Sequence, residues 1–124
     1  VLAVSARAAA PRYHPCGEVS GGGVTVPVYA SQVSCSKALA VERRCRFAPD
    51  CFGQLPMVNK DGSFFLPNPA KAEPFGFRCW QIYGAYQAGL PSIPRSHEAS
   101  WILCGRFTGS GSVFYTQFVA FWSQ

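Results

Sequence analysis

Ser31-Gln32-Val33-Ser34-Cys35-Ser36-Lys37-Ala38-Leu39-Ala40-Val41-Glu42-Arg43-Arg44-Cys45 runs without glycine or proline in a chain that holds 12 glycines and 10 prolines. It is the one stretch that reads convincingly as a helix. Ser31 is placed as the N-cap, and Arg43 and Arg44 fall in the last turns, where cations complement the helix dipole. Val33, Ala38, Val41 and Cys45, with Leu39, offer a buried side. The positive cluster Arg43-Arg44-Arg46 is read as helix-end cations and not as a ligand site.

Downstream, residues 46–74 are broken by Pro49, Gly53, Pro56, Gly62, Pro67, Pro69 and Pro74. Asp61-Gly62 signals a turn, and Phe64-Phe65-Leu66 a short strand. Three strand-like segments follow, at 75–83, 100–107 and 113–122. A glycine-bearing loop over 108–112 joins the last two as a hairpin. Alternation along the first puts Phe77, Cys79 and Gln81 on one face and Arg78, Trp80 and Ile82 on the other. Upstream, Gly21-Gly22-Gly23 is a loop. Residues 24–29 are β-branched, but Pro27 demotes them to an edge strand. The predicted class is α+β: a single N-terminal helix packed on one face of a twisted antiparallel sheet. Residues 1–15 are expected to be a flexible segment and 16–124 a single domain.

At 124 residues the chain fits one domain with a real core. Apolar residues make up 48% and charged residues 14%, with 10 Phe, 5 Tyr and 3 Trp, which excludes disorder. No apolar run is long enough for a transmembrane helix, and no phosphate-cradling glycine motif is present. The net charge of +5 comes mostly from arginine, whose planar fork suits phosphate or an acidic surface. Six cysteines, Cys16, Cys35, Cys45, Cys51, Cys79 and Cys104, read as three disulfides formed in an oxidising compartment, with 15 connectivities open. A zinc site is not expected, because no C-x₂-C pair exists and the two histidines are far apart in sequence. No sequon is present. The start at Val1 reads as a mature N-terminus whose export signal has gone.

Several pieces, in order, carry a resemblance. They are Cys16-Gly17, Tyr29-Ala30-Ser31-Gln32-Val33, Leu55-Pro56-Met57, Phe77-Arg78-Cys79-Trp80-Gln81-Ile82, Gly89-Leu90-Pro91 with Arg95, and Ile102-Leu103-Cys104-Gly105-Arg106-Phe107-Thr108. Together the chain resembles the small secreted fungal ribonucleases of guanyl-preferring type and their ribotoxin relatives. That implies a microbial ribonuclease-like, disulfide-stabilised fold, with Cys104 bridged to an upstream loop or helix cysteine. The family's reaction needs a base for the 2′-hydroxyl and an acid for the leaving 5′-oxygen. Where the resemblance places those groups, this chain has Leu55, Met57, Cys79 and Gly109. Arg95 survives as a phosphate ligand, and Arg106 and Arg78 are further candidates for binding RNA or phosphate.

The same combination resembles the catalytically dead, ribonuclease-like effectors of plant-pathogenic fungi, the powdery-mildew group above all. It implies a secreted, monomeric virulence protein, with passage into host cells. Such a protein is not an enzyme, needs no cofactor, metal or membrane, and binds either a host protein, a plant immune receptor among the candidates, or host RNA. Two departures from that group stand out: Tyr13-His14-Pro15-Cys16 has one residue more than its aromatic-x-Cys motif, and no cysteine lies near the C-terminus. An active nuclease would have to rely on relocated groups, His97 or His14 with Glu18, Glu73 or Glu98, or on a Cys79 thiolate beside Arg78. A third reading is an unrelated disulfide-rich inhibitor or binding module.

Overall fold

The computed structural model describes residues 10–21, 23–46, 49–53, 55–66, 76–82, 90–91, 100–107 and 114–123. The chain runs through β1 (His14–Gly21), β2 (Val24–Ser31), α1 (Cys35–Cys45), a 3-10 turn (Pro49–Cys51), β3 (Met57–Val58), β4 (Phe64–Phe65), β5 (Arg78–Ile82), β6 (Ser100–Phe107) and β7 (Tyr115–Ser123). Five strands form one antiparallel sheet in the order β1-β2-β7-β6-β5, and β3 and β4 form a second, two-stranded sheet.

This corrects the expected class. Strand makes up 53% of the described residues and helix 19%, so the molecule is mostly β. Its helix is not N-terminal but follows two strands. The sequence suggests no strand over 14–21 and only an edge strand over 24–29, because of Pro27, and the structure shows how the prolines and glycines are absorbed. In β1 the register shifts between Pro15 and Glu18, and Gly17 sits at φ +99°, a bulge geometry that glycine adopts without steric cost. In β2, Pro27 stands one residue beyond the β2–β7 ladder, which runs from Val28 opposite Phe121 to Ser31 opposite Phe118. β2 is therefore an interior strand and not an edge. Within the stretch 1–15, β1 opens at His14, and Tyr13 packs edge-on against Phe118 at 6.4 Å.

The helix starts three residues later than the serine-capped run suggested, with its cap at Ser34 in place of Ser31. Ser31 ends β2, and Gln32 turns the chain at φ +59°. Ser34 is the N-cap: its Oγ accepts from the Lys37 amide at 3.2 Å. Gln117 Nε2 on β7 donates to the Gln32 carbonyl at 3.0 Å, which ties this turn to the sheet. Two disulfides hold the helix at both ends. Cys16–Cys35 joins its first residue to β1, and Cys45–Cys51 joins its last to the 3-10 turn. From there Phe52 and Gly53 lie along the outer edge of β5, where the Gly53 amide donates to the Cys79 carbonyl at 3.2 Å. The third bridge, Cys79–Cys104, links opposed residues of β5 and β6.

Both faces of the sheet are covered. On the helix side, Ala38, Val41 and Cys45 pack with Val28, Ala30, Phe77, Cys79, Ile102, Cys104, Val119 and Phe121. On the other side Phe64 and Leu66, at the end of the small sheet, pack with Trp80, Ile82, Trp101, Leu103, Tyr115 and Phe118. A sheet buried on two faces explains the near-continuous apolar runs of β6 and β7, which lack a clean polar alternation. Gly105 in β6 makes the second core possible. A methyl group there would sit 2.7 Å from Tyr115 Cδ1 and 3.0 Å from Trp80 Cη2. Gly105→Ala is accordingly expected to destabilise the fold by about 1–3 kcal/mol, the usual cost of overpacking a filled core. Urea denaturation checks this, and a change below a few tenths of a kcal/mol would contradict the packing described.

Candidate functional site

Arg78 and Arg106, the two candidate arginines among the described residues, do not converge. Arg78 in β5 stands opposite Gly105 in β6, and Arg106 is the next residue along that strand. Neighbours on a strand point to opposite faces, so the two guanidinium groups leave the sheet on opposite sides. Arg78 lies with Trp80 and Ile82. Its stem covers Gly53, where a β-carbon would come within 2.6 Å of Arg78 Cδ. Arg106 lies on the helix side with Phe77. It donates to Gln117 Oε1 at 3.4 Å and rests against Gly76. Arg95 and Gly109 lie outside the described residues, as do His97, Glu73 and Glu98.

Cys79 is fully buried and bonded to Cys104, which removes it as a nucleophile. Cys104 is thus paired with a strand cysteine, not with the upstream loop or helix cysteine that the resemblance implied for it. Cys16 instead takes the helix cysteine, Cys35. Among the described residues, three of the four carboxylates are held by close partners. Glu42 is completely buried and accepts from Arg46 one turn on, with Nε at 2.7 Å and Nη2 at 2.8 Å. Asp50 accepts from Arg44 at 3.0 Å, and Asp61 accepts from the Ser63 amide at 3.0 Å and its hydroxyl at 2.6 Å. The fourth, Glu18, is exposed on β1, as is His14.

Among the described residues, the aromatic rings next to Arg78 and Arg106 in the sequence pack against the protein, with Phe107 half-buried. Phe77 and Trp80 are buried, and Phe107 is stacked on Tyr115 with centroids 4.4 Å apart and planes 14° from parallel. Tyr115 is itself buried, and its hydroxyl has no hydrogen-bond partner among the described residues. Burial pushes its phenol from the ordinary 10.0 up to about 12, partly offset by the Arg78 guanidinium, which favours the phenolate. Burial also pushes the Tyr13 phenol upward.

Because the folded-state value of Tyr115 lies above the unfolded one, its contribution to stability is complete below pH 10. It is then lost as pH rises from 10 towards about 12. An ultraviolet phenolate titration is expected to show this late component, and Arg78→Met to move it later still. Ionisation of every tyrosine near 10 would contradict the packing.

The surface feature that sequence reasoning missed lies where Leu55 and Met57 were read only as absences. Phe52, Leu55, Met57 and Val58 are 38%, 65%, 54% and 60% exposed. β3 holds the last two against Phe65 and Phe64 of β4. The signal was available as four large apolar residues between Pro49 and Asn59, in a segment too broken by proline and glycine to bury them. The buried Glu42–Arg46 pair was also missed. Its signal was a Glu four residues before an Arg, on the same helical stripe as Ala38 and Cys45. No helix among the described residues is long and apolar enough to cross a membrane. Compared with known protein families, curated proteins and solved structures, the chain matches none.

Proposed function

We propose that the chain is a secreted, disulfide-braced binding protein of effector type, which docks onto a host protein and catalyses no reaction. The observation that carries this is the exposed run of Phe52, Leu55, Met57 and Val58. Single exposed apolar side chains are ordinary, whereas four on one short connected segment are what a protein-contact surface offers. Host RNA is the less favoured partner. Base stacking needs aromatic faces open to solvent beside cations, and here Phe77 and Trp80 are inside while Arg78 and Arg106 leave opposite faces. Proton transfer across a phosphate needs two titratable groups. Leu55, Met57 and the bridged Cys79 offer none at the positions the resemblance would assign. Three bridges support export through an oxidising compartment, and passage into the host cell belongs to the same proposal.

A photo-crosslinking residue at position 57 of the full oxidised chain, incubated with plant-tissue extract, is expected to give a discrete adduct. Once identified by mass spectrometry, the adducted protein is expected to bind the purified chain directly. Leu55→Asp should abolish both signals, and a crosslinker at exposed Thr25 should give neither. Binding unchanged in Leu55→Asp would sink the proposed surface. Cleavage of total RNA that a point substitution abolishes would overturn the non-catalytic reading. A steeply salt-dependent RNA shift lost in Arg78→Ala or Arg106→Ala would transfer the function to nucleic acid.

A further inference from the structure

The three disulfides differ in one respect that bears on chemistry. Cys45, Cys51, Cys79 and Cys104 are fully buried, so two bridges are sealed inside the core. Cys16 and Cys35 are only half-buried, and exposed His14 lies beside them. The two sulfurs and a ring nitrogen of His14 all lie within 4.8 Å of one another. His14 and Cys16 come from the start of β1, and Cys35 is the first residue of α1.

We propose that the Cys16–Cys35 bridge is the bond a reductant opens in the folded chain, and that His14, Cys16 and Cys35 then hold one zinc-class cation. The reductant is a dithiol. Its thiolate attacks Cys16 Sγ and the S–S bond breaks. Cys35 leaves as a thiolate at the helix N-terminus, where the dipole favours negative charge. The second thiol of the reductant resolves the mixed disulfide. The reductant departs as a cyclic disulfide, and two electrons and two protons have passed to the protein.

Two thiols and an imidazole are the donor set of a thiolate-preferring d¹⁰ ion. Binding releases the two thiol protons and leaves one tetrahedral position open to water or another ligand. Two zinc–sulfur bonds of about 2.3 Å at the tetrahedral angle separate the sulfurs by about 3.8 Å, a modest opening once the bond between them has gone. The sealed bridges keep the sheet and the far end of the helix in place while this happens. The result is a cation site present only under reducing conditions, at the junction of β1 and α1. It is independent of the apolar segment at 52–58.

The test uses the full chain. It is treated with one equivalent of dithiothreitol, labelled with iodoacetamide and mapped by mass spectrometry, with label expected at Cys16 and Cys35. A parallel sample, desalted without oxygen and titrated with Co²⁺, should develop a near-ultraviolet thiolate-to-cobalt band with one equivalent, which Zn²⁺ then removes. His14→Ala, a substitution at an exposed site, should weaken cobalt binding by at least about tenfold, the cost of losing even an outer-shell partner of a metal ligand. First labelling at any other cysteine, absence of the band in the reduced chain, or unchanged affinity in His14→Ala would each overturn the proposal.

Discussion

Replacing Arg46 with methionine is expected to destabilise the protein by about 3 kcal/mol, the lower end of the cost of breaking a buried ion pair from one side. The Glu42 side chain is wholly inside, beneath the last turn of α1, and both its oxygens accept from the Arg46 guanidinium. Methionine would fill the space but leave a carboxylate in an apolar setting without its cation. Arg46 itself is 18% exposed, which lets some water reach the site and keeps the cost from the top of the range. The pair of substitutions Glu42→Gln and Arg46→Met should cost less than Arg46→Met alone, because the stranded charge has gone. Urea denaturation with unchanged m-value reads both. An Arg46→Met cost below 1 kcal/mol, or a double variant less stable than the single, would contradict the burial of Glu42.

Removing the Cys79–Cys104 bridge by paired alanines should cost more still. The bridge spans a sequence separation of 25, and loop-closure entropy alone assigns it about 3.5 kcal/mol. Both cysteines are fully buried between β5 and β6, so losing their sulfurs adds a packing loss to that figure. The Cys45–Cys51 bridge spans only 6, for which the same relation gives about 2.2 kcal/mol. The expected order is therefore a larger fall for Cys79 and Cys104 than for Cys45 and Cys51. The reverse order would show that strands β5 and β6 are held mainly by their other contacts.

The sequence was most readable where a pattern was local. The span 100–107 is β6 residue for residue, and the alternation at 77–82 assigned both faces of β5. The paired disulfide chemistry was legible from the cysteine count, but its connectivity was not, since Cys79 and Cys104 meet only through strand pairing. Strand β2 was undervalued because a proline weighs against a strand only if its missing amide is needed. Whether it is needed depends on where the neighbouring ladder stops, here at Val28. The same long-range dependence hid the helix start. Ser31 and Ser34 are equally good caps by composition, and it is the pairing of Ser31 with Phe118 that commits it to β2. At the candidate site, Arg78 and Arg106 are both legible as candidate phosphate ligands, but the faces they occupy relative to each other are not. A register of Arg78 with Gly105 makes them back-to-back, and no single-strand pattern carries register.

The mostly-β scaffold, and with it the sealing of Cys79 and the placing of the apolar segment, rests on which cysteines are joined. A tryptic digest of the oxidised chain decides this, because each bridge leaves a different product. The expected products are peptide 13–37 alone, closed on itself by Cys16 and Cys35, then 45–46 joined to 47–60, and 79–95 joined to 96–106. Peptide 96–106 joined instead to 13–37 or to 47–60 would tie Cys104 to the helix or a loop and contradict this pairing.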